Sequence, residues 1–121
     1  MKTCLIVDDS EVVRKVARHI FEFLKFEALE AGSGEDALDK CAAAMPDAIL
    51  LDSYIPTMPT MAFLSALRGQ SNGKKPVVIY CTTENDATEI ARALTAGADD
   101  YILKPFDRES LGQKLAATGL I

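Results

Sequence analysis

The stretch Ala48-Ile49-Leu50-Leu51-Asp52 decides the fold, because four apolar residues without alternation end on a carboxylate. Such an unbroken apolar run is typical of a strand in a parallel sheet that helices cover on both faces. In these sheets ligands bind beyond the carboxyl ends of the strands, so Asp52 stands where chemistry is expected. A single Asp after a strand also serves as a cap for the next loop or helix, and the rest of the chain decides between the two.

The composition describes one globular domain. The chain has 121 residues, of which 49% are hydrophobic and 26% are charged, and its net charge is -5. We expect a single domain over residues 1–121 with no effector domain. The acidic balance argues against a nucleic-acid-binding surface. We find no signal-peptide pattern and no apolar run of the roughly 20 residues that cross a membrane, so we expect a cytoplasmic protein without membrane contact.

Five predicted strands alternate with five predicted helices. The strands fall at residues 4–7, 26–31, 48–51, 77–81 and 101–103. Because crossovers between parallel strands are right-handed, the helices must cover both faces of one sheet, which predicts a three-layer α/β domain. For the fourth helix, the spacing predicts an inward face formed by Ala87, Ile90, Ala91 and Leu94.

Polar side chains follow the ends of four strands, and they are Asp8, Asp9, Asp52, Thr82 and Lys104. Because parallel strands end at one edge of the sheet, we expect these side chains to lie close together. Three crowded carboxylates repel one another unless a cation joins them, and Mg²⁺ suits a few carboxylates completed by water and phosphate oxygens. The ammonium of Lys104 and the hydroxyl of Thr82 can bind an anion. The set predicts a site for a phosphoryl group.

The attacking atom has to come from this set. The chain carries neither a Ser-His-Asp arrangement nor a Gly-rich phosphate loop. A carboxylate can itself be the nucleophile and form an aspartyl phosphate. Asp52 is the candidate, and the adjacent acids would hold the ion.

The motif resembles that of response regulator receiver domains of the chemotaxis-regulator type, and the resemblance covers nearly the whole chain. Its elements are the acidic pair Asp8-Asp9, the phosphoacceptor Asp52, the hydroxyl residue Thr82 and the run Lys104-Pro105-Phe106. Thr82 follows Asp52 by 30 residues and Lys104 follows it by 52, which are separations usual in the family. The resemblance implies a five-stranded parallel sheet in the flavodoxin-like order 2-1-3-4-5 with five helices.

The resemblance also implies a reaction and a metal ion. A phosphoryl group would pass to Asp52 from a phosphohistidine on a histidine kinase or a histidine phosphotransfer protein. Mg²⁺, for which Mn²⁺ or Ca²⁺ can substitute, would be bound by Asp9, Asp52, the backbone carbonyl of Tyr54 and, through water, Asp8.

A conformational switch is implied as well. Lys104 would contact the phosphoryl oxygens, and its peptide bond to Pro105 is cis in most members. Thr82 would be drawn to the phosphate, and Tyr101 would turn inward into the vacated space. The read-out face would be the fourth helix, fifth strand and fifth helix, which would contact an unknown protein target. The chain would be a monomer or a phosphorylation-dependent dimer.

Several positions depart from the family pattern. The family's Asp and Gly in the loop after the phosphoacceptor are Pro59 and Thr60 here. A Gly there often serves a special backbone conformation that Thr adopts poorly, so we expect this loop and the start of the third helix to be rearranged. Thr83 replaces a small residue, which leaves either Thr82 or Thr83 as the hydroxyl donor, although strand period and spacing favour Thr82.

We therefore expect a stand-alone receiver that signals through protein contacts and is no enzyme beyond catalysing its own phosphorylation and dephosphorylation. One alternative is a phosphate sink or shuttle in a relay, which would show fast back-transfer to a phosphotransfer protein. Another is a flavodoxin-like cofactor-binding or hydrolase domain on the same fold, which bound flavin or turnover of a phosphate ester would reveal.

Overall fold

The computed structural model describes residues 1–121, in which five strands and five helices alternate. The strands are β1 (Thr3–Val7), β2 (Glu27–Ala31), β3 (Ala48–Asp52), β4 (Val77–Thr82) and β5 (Asp100–Leu103). The helices are α1 (Glu11–Phe23), α2 (Gly34–Ala43), α3 (Thr60–Gly69), α4 (Ala87–Ala96) and α5 (Arg108–Ala117). None of the helices has the length and apolar character needed to cross a membrane.

All five strands pair in parallel, in the order β2-β1-β3-β4-β5. This confirms the predicted sheet and its strand order. The central strand is β3, and all of its residues are buried, which explains why its sequence shows no alternation.

Two apolar cores lie on opposite faces of the sheet. On one face, α1 contributes Phe21 and α5 contributes Leu111 and Leu115. On the other, Phe63 of α3 and Ala93 of α4 pack with residues of α2. The sheet is therefore the middle of three layers, and its carboxyl edge is left open for a site.

The inward face of α4 differs from the predicted one. Ile90 and Ala93 are buried, whereas Ala87 and Ala91 are exposed and Leu94 is 40% exposed, so the prediction was correct for Ile90 and wrong for the other three. A helix rich in alanine is apolar on more than one side, so the period of its apolar residues does not identify the face that packs.

The loop between β3 and α3 places its left-handed backbone at Thr57. Thr57 has a φ of 71°, while Thr60 is not among the residues with positive φ and begins α3 in a helical conformation. The expected difficulty at Thr60 was therefore wrong, and the unfavourable conformation falls three residues earlier. The Thr57 hydroxyl donates to Glu35 Oε1 at 2.6 Å, which ties this loop to the start of α2.

Candidate functional site

Three carboxylates meet at the carboxyl edge of the sheet. Asp8 and Asp9 follow β1, and Asp52 is the last residue of β3. Because β1 and β3 pair in register, with Val7 opposite Leu51, carboxylate oxygens of all three residues lie within 4.8 Å of one another. Asp8 is 4% exposed and Asp52 is 9% exposed, so two of the three charges are largely removed from water.

Lys104 brings a cation to the same place. Its Nζ lies 2.9 Å from Asp8 Oδ2 and 3.0 Å from Asp52 Oδ1. The backbone N–H of Lys104 donates to the carbonyl of Thr82 at 2.8 Å, which fixes the end of β5 beside the end of β4. The peptide bond from Lys104 to Pro105 is cis.

Burial and charge act in opposite directions on the ionisation of this cluster. Burial raises the pKa of Asp52 above its ordinary value, and the hydrogen bond from Lys104 offsets only part of that effect. Burial alone would lower the pKa of Lys104, but its hydrogen bonds to Asp8 and Asp52 raise that pKa above the ordinary value. Lys104 is therefore a firmly charged ammonium.

The turn that carries Asp8 is held by Ser10 and by Arg14, and sequence reasoning missed the role of Arg14. Arg14 Nη1 donates to the backbone carbonyl of Asp8 at 2.8 Å, and Arg14 Nε donates to Glu30 Oε1 on β2 at 3.0 Å. The backbone N–H of Ser10 donates to Asp8 Oδ1 at 2.9 Å, while the Ser10 hydroxyl caps α1. A basic residue one turn into the helix that follows an acidic pair is the signal that could have identified Arg14.

The two candidate hydroxyls have different surroundings. Thr82 ends β4 and is buried, and its Oγ1 accepts a hydrogen bond from the backbone N–H of Glu84 at 3.2 Å. Thr83 is exposed. It lines an apolar groove of about 340 Å³ whose other lining residues are Val12, Val13, Val16, Lys104, Pro105 and Phe106.

Tyr101 lies on the same face of the sheet as Thr82. It is half-buried on β5, directly opposite Tyr80 of β4, and it packs against the core of α2, α3 and α4. Lys114 Nζ lies 4.6 Å from the centroid of the Tyr101 ring and 3.1 Å from Asp100 Oδ1. A cation over the ring face holds the aromatic group in this orientation.

Tyr54 follows Asp52 by two residues, so its backbone carbonyl belongs to the turn that leaves the strand end. Its side chain is 66% exposed and lines a cavity of about 490 Å³ beside Ser53 and Thr60. The ring therefore does not pack into the core.

The donor chemistry of the cluster fits a hard divalent cation. Asp8, Asp9 and Asp52 supply oxygen ligands, and the single ammonium of Lys104 leaves two negative charges in the cluster uncompensated. Oxygen ligands and a surplus of negative charge are what Mg²⁺ requires. The residues present could thus hold such an ion.

The family model for the response regulator receiver domain matches residues 4–116. The chain belongs to the response regulator receiver family. It is thus a receiver domain of two-component signalling. Members of this family typically bind Mg²⁺ at an acidic pocket and interact with a histidine kinase or a phosphotransfer protein. Membership favours the receiver prediction over a flavodoxin-like cofactor-binding or hydrolase domain.

Solved receiver structures share the whole fold. The chemotaxis protein CheY4 of Vibrio cholerae superimposes with a TM-score of 0.91 at 32% identity, covering 97% of this chain and 98% of its own. The receiver domain of the sensor histidine kinase PA1611 of Pseudomonas aeruginosa has a TM-score of 0.87 at 27% identity, covering 96% of this chain and 95% of its own. That structure has a magnesium ion coordinated in its active site cleft.

Curated relatives match the same region. The response regulator MprA of Mycobacterium tuberculosis is 34% identical over 113 residues, which are 93% of this chain and 48% of that protein. The receiver domain therefore spans about half the length of the curated relatives that it matches.

Proposed function

We propose that this receiver domain accepts a phosphoryl group on Asp52 from a phosphohistidine of a histidine kinase or phosphotransfer protein. The observation that carries the proposal is the contact of one ammonium, that of Lys104, with two carboxylates at the strand ends, 2.9 Å from Asp8 and 3.0 Å from Asp52. A nucleophile, an acidic pair and a phosphate-binding cation thereby lie within one cluster.

The metal ion of the proposal is Mg²⁺, with Mn²⁺ or Ca²⁺ as substitutes. Asp9, Asp52 and the backbone carbonyl of Tyr54 would hold it directly, and Asp8 would hold it through water. When bound, the ion neutralises charge on the phosphoryl oxygens and on the carboxylates. Asp9 suits direct coordination because it is the exposed member of the cluster.

Transfer proceeds by attack of an Asp52 carboxylate oxygen on phosphorus. The P–N bond to the donor imidazole breaks, and the imidazole nitrogen keeps the electron pair and takes up a proton from solvent. Lys104 moves from its contact with the carboxylates to a phosphoryl oxygen, and the hydroxyl of Thr82 donates to another. The buried Thr82 is favoured over Thr83, whose exposed side chain lies in the apolar groove.

The donor protein would cover the apolar groove formed by α1 and the segment after β5. Val12 is 73% exposed and Val16 is 47% exposed, and both lie with Pro105 beside Lys104. Exposed valines next to a charged site are typical of a protein contact surface. A phosphohistidine carried by a helical partner seated in this groove would point toward Asp52.

The output of the proposed switch follows from Thr82 and Tyr101. Once Asp52 is phosphorylated, Thr82 turns to the phosphate and Tyr101 leaves the Lys114 ammonium for the space vacated by Thr82. Both tyrosine and threonine lie on the face covered by α4, so the change alters the surface formed by α4, β5 and α5. The domain then signals to a protein target as a monomer or a phosphorylation-dependent dimer, with no reaction beyond its own phosphorylation and dephosphorylation.

Intact-mass spectrometry after incubation with MgCl₂ and acetyl phosphate tests this proposal. The wild-type chain should gain the mass of one phosphoryl group, and the gain should vanish in EDTA and in Asp52→Asn. Asp86→Asn, which changes an exposed carboxylate that caps α4, serves as the control and should still be phosphorylated. A gain of the same size in Asp52→Asn would contradict the assignment.

A further inference from the structure

The hydroxyl of Thr60 binds the strand end that carries Asp52. Thr60 is the first residue of α3 and is 6% exposed. Its Oγ1 lies 2.9 Å from the carbonyl oxygen of Ser53 and 3.4 Å from that of Asp52. A hydroxyl has one proton, so the shorter contact is the hydrogen bond and Thr60 donates to Ser53.

This use of a threonine at a helix start is unusual within the molecule. The other four helices have a side chain that caps their first turn, and these residues are Ser10, Ser33, Asp86 and Asp107. At α3 the N-cap is Pro59, which makes no such bond. A side-chain cap is worth about 1 kcal/mol to a helix. Helix α3 lacks that contribution. The hydroxyl of its first residue, Thr60, is directed to the end of β3 instead.

The Thr60 hydrogen bond completes the fixation of Ser53. The backbone N–H of Ser53 donates to the carbonyl of Cys81 at 2.8 Å, which extends the pairing of β3 with β4 by one residue. The carbonyl of Ser53 then accepts from Thr60. Both peptide groups of Ser53 are therefore held, and the peptide plane between Ser53 and Tyr54 has one preferred orientation. The next carbonyl along the chain is that of Tyr54.

We propose that Thr60 is a positioning residue for the divalent-ion site. By holding the Ser53 carbonyl, it fixes the peptide plane that precedes Tyr54 and so restricts the directions that the Tyr54 carbonyl can take before the ion arrives. Ligands that are held in place by outer hydrogen bonds bind a metal more tightly, because less order has to be imposed on binding. The inference rests on the proposed function, which makes the Tyr54 carbonyl a ligand, and it adds a residue outside the ligand set.

The side chains available at this position allow a matched test. Thr60→Val keeps the shape and removes the hydroxyl, Thr60→Ser keeps the hydroxyl and removes the methyl group, and Thr60→Gly removes both. Titration calorimetry of MgCl₂ into the unphosphorylated chain should give a dissociation constant about fivefold higher for Thr60→Val, as expected for the loss of one hydrogen bond. Thr60→Ser should stay within about twofold of wild type, because its hydroxyl still reaches Ser53.

Phosphorylation by acetyl phosphate gives a second readout. Thr60→Val should need about fivefold more Mg²⁺ for half-maximal rate, while its rate at saturating Mg²⁺ equals that of wild type. A purely structural role would lower the thermal midpoint of Thr60→Val without moving its Mg²⁺ affinity. If Thr60→Val does not fold, Thr60→Gly supplies the comparison, since it also lacks the hydroxyl.

The outcomes separate the two proposals. Wild type that binds Mg²⁺ and is phosphorylated, together with a Thr60→Val or Thr60→Gly chain of the same Mg²⁺ affinity, would overturn the role of Thr60 alone. Wild type that takes up neither Mg²⁺ nor a phosphoryl group would overturn the proposed function. Weaker Mg²⁺ binding in Thr60→Val that Thr60→Ser restores would support the positioning role.

Discussion

The ammonium of Lys104 lies 3.0 Å from Asp52 Oδ1 and therefore occupies the space beside the proposed nucleophile. The same nitrogen is 2.9 Å from Asp8, so one positive charge serves two of the three carboxylates. A cation in this position compensates part of the negative charge and so competes with a divalent ion for the carboxylates. It also provides the contact for an incoming phosphoryl group.

Lys104→Met should separate these two effects. Removing the ammonium leaves three carboxylates without a counter-ion, so the affinity for Mg²⁺ should rise about tenfold, while the rate of phosphorylation by acetyl phosphate should fall at least about tenfold. Titration calorimetry measures the Mg²⁺ affinity, and intact-mass kinetics measure the rate of phosphorylation. Lys75→Met is the control, because Lys75 pairs with Asp47 at the opposite edge of the sheet. A lower Mg²⁺ affinity in Lys104→Met would argue against the competition.

Arg14→Met should weaken Mg²⁺ binding several-fold, because Arg14 holds the carbonyl of Asp8 as well as the carboxylate of Glu30. Arg18→Met is a close control: Arg18 donates to the same Glu30 carboxylate at 2.7 Å and makes no hydrogen bond to Asp8. Both variants should lose about 1 to 2 kcal/mol of unfolding free energy, and Arg14→Met alone should bind Mg²⁺ more weakly. If Arg14→Met and Arg18→Met bind Mg²⁺ with equal affinity, the Asp8 turn does not depend on Arg14.

Thr57→Asn should stabilise the fold. Thr57 is an exposed β-branched residue with a φ of 71°, a conformation that Asn adopts far more readily. The free energy of unfolding in urea should rise by about 0.5 to 1 kcal/mol, since the hydrogen bond to Glu35 that is lost is exposed to solvent. Thr57→Val, which removes that bond and keeps the branched side chain, should not be more stable than wild type. An Asn variant less stable than wild type would contradict this interpretation.

Glu30→Gln should destabilise the domain in a pH-dependent way. Hydrogen bonds from Lys15, Arg18 and Arg14 lower the pKa of Glu30 from 4.5 to about 2. A lowered pKa means that the carboxylate stabilises the fold above pH 4.5 and that this contribution is lost as the pH falls toward 2. The unfolding free energies of wild type and variant should therefore differ by about 1 to 2 kcal/mol at pH 7 and converge below pH 4.5. If the difference in unfolding free energy between wild type and Glu30→Gln is the same at pH 7 and pH 3, the lowered pKa of Glu30 does not stabilise the fold.

The sequence predicted the sheet and the site cluster because both depend on where apolar runs stop. The run that ends at Asp52 is buried on both faces, and parallel pairing brings Asp8 and Lys104 to the same edge. These relationships follow from strand geometry alone, without knowledge of how any helix packs.

The parts that could not be predicted depend on helix rotation and loop conformation. The face of α4 was misassigned at Ala87, Ala91 and Leu94, since alanines give a helix no single apolar side. The bond from Thr60 to Ser53 and that from Arg14 to Asp8 join side chains to backbone carbonyls. The acceptor of such a bond cannot be identified from the sequence, because every residue offers a carbonyl, even where the position of the donor, as for Arg14, is suggestive.

The identity of the phosphorylated atom is the central claim, and chemical trapping tests it most directly. Borohydride reduces an acyl phosphate of aspartate to homoserine, so the chain is phosphorylated with acetyl phosphate and MgCl₂, reduced, digested and mapped by mass spectrometry. We predict homoserine at position 52 and at no other aspartate, and none without MgCl₂. Homoserine at position 8 or 9, or an unreduced chain under these conditions, would contradict the assignment of Asp52.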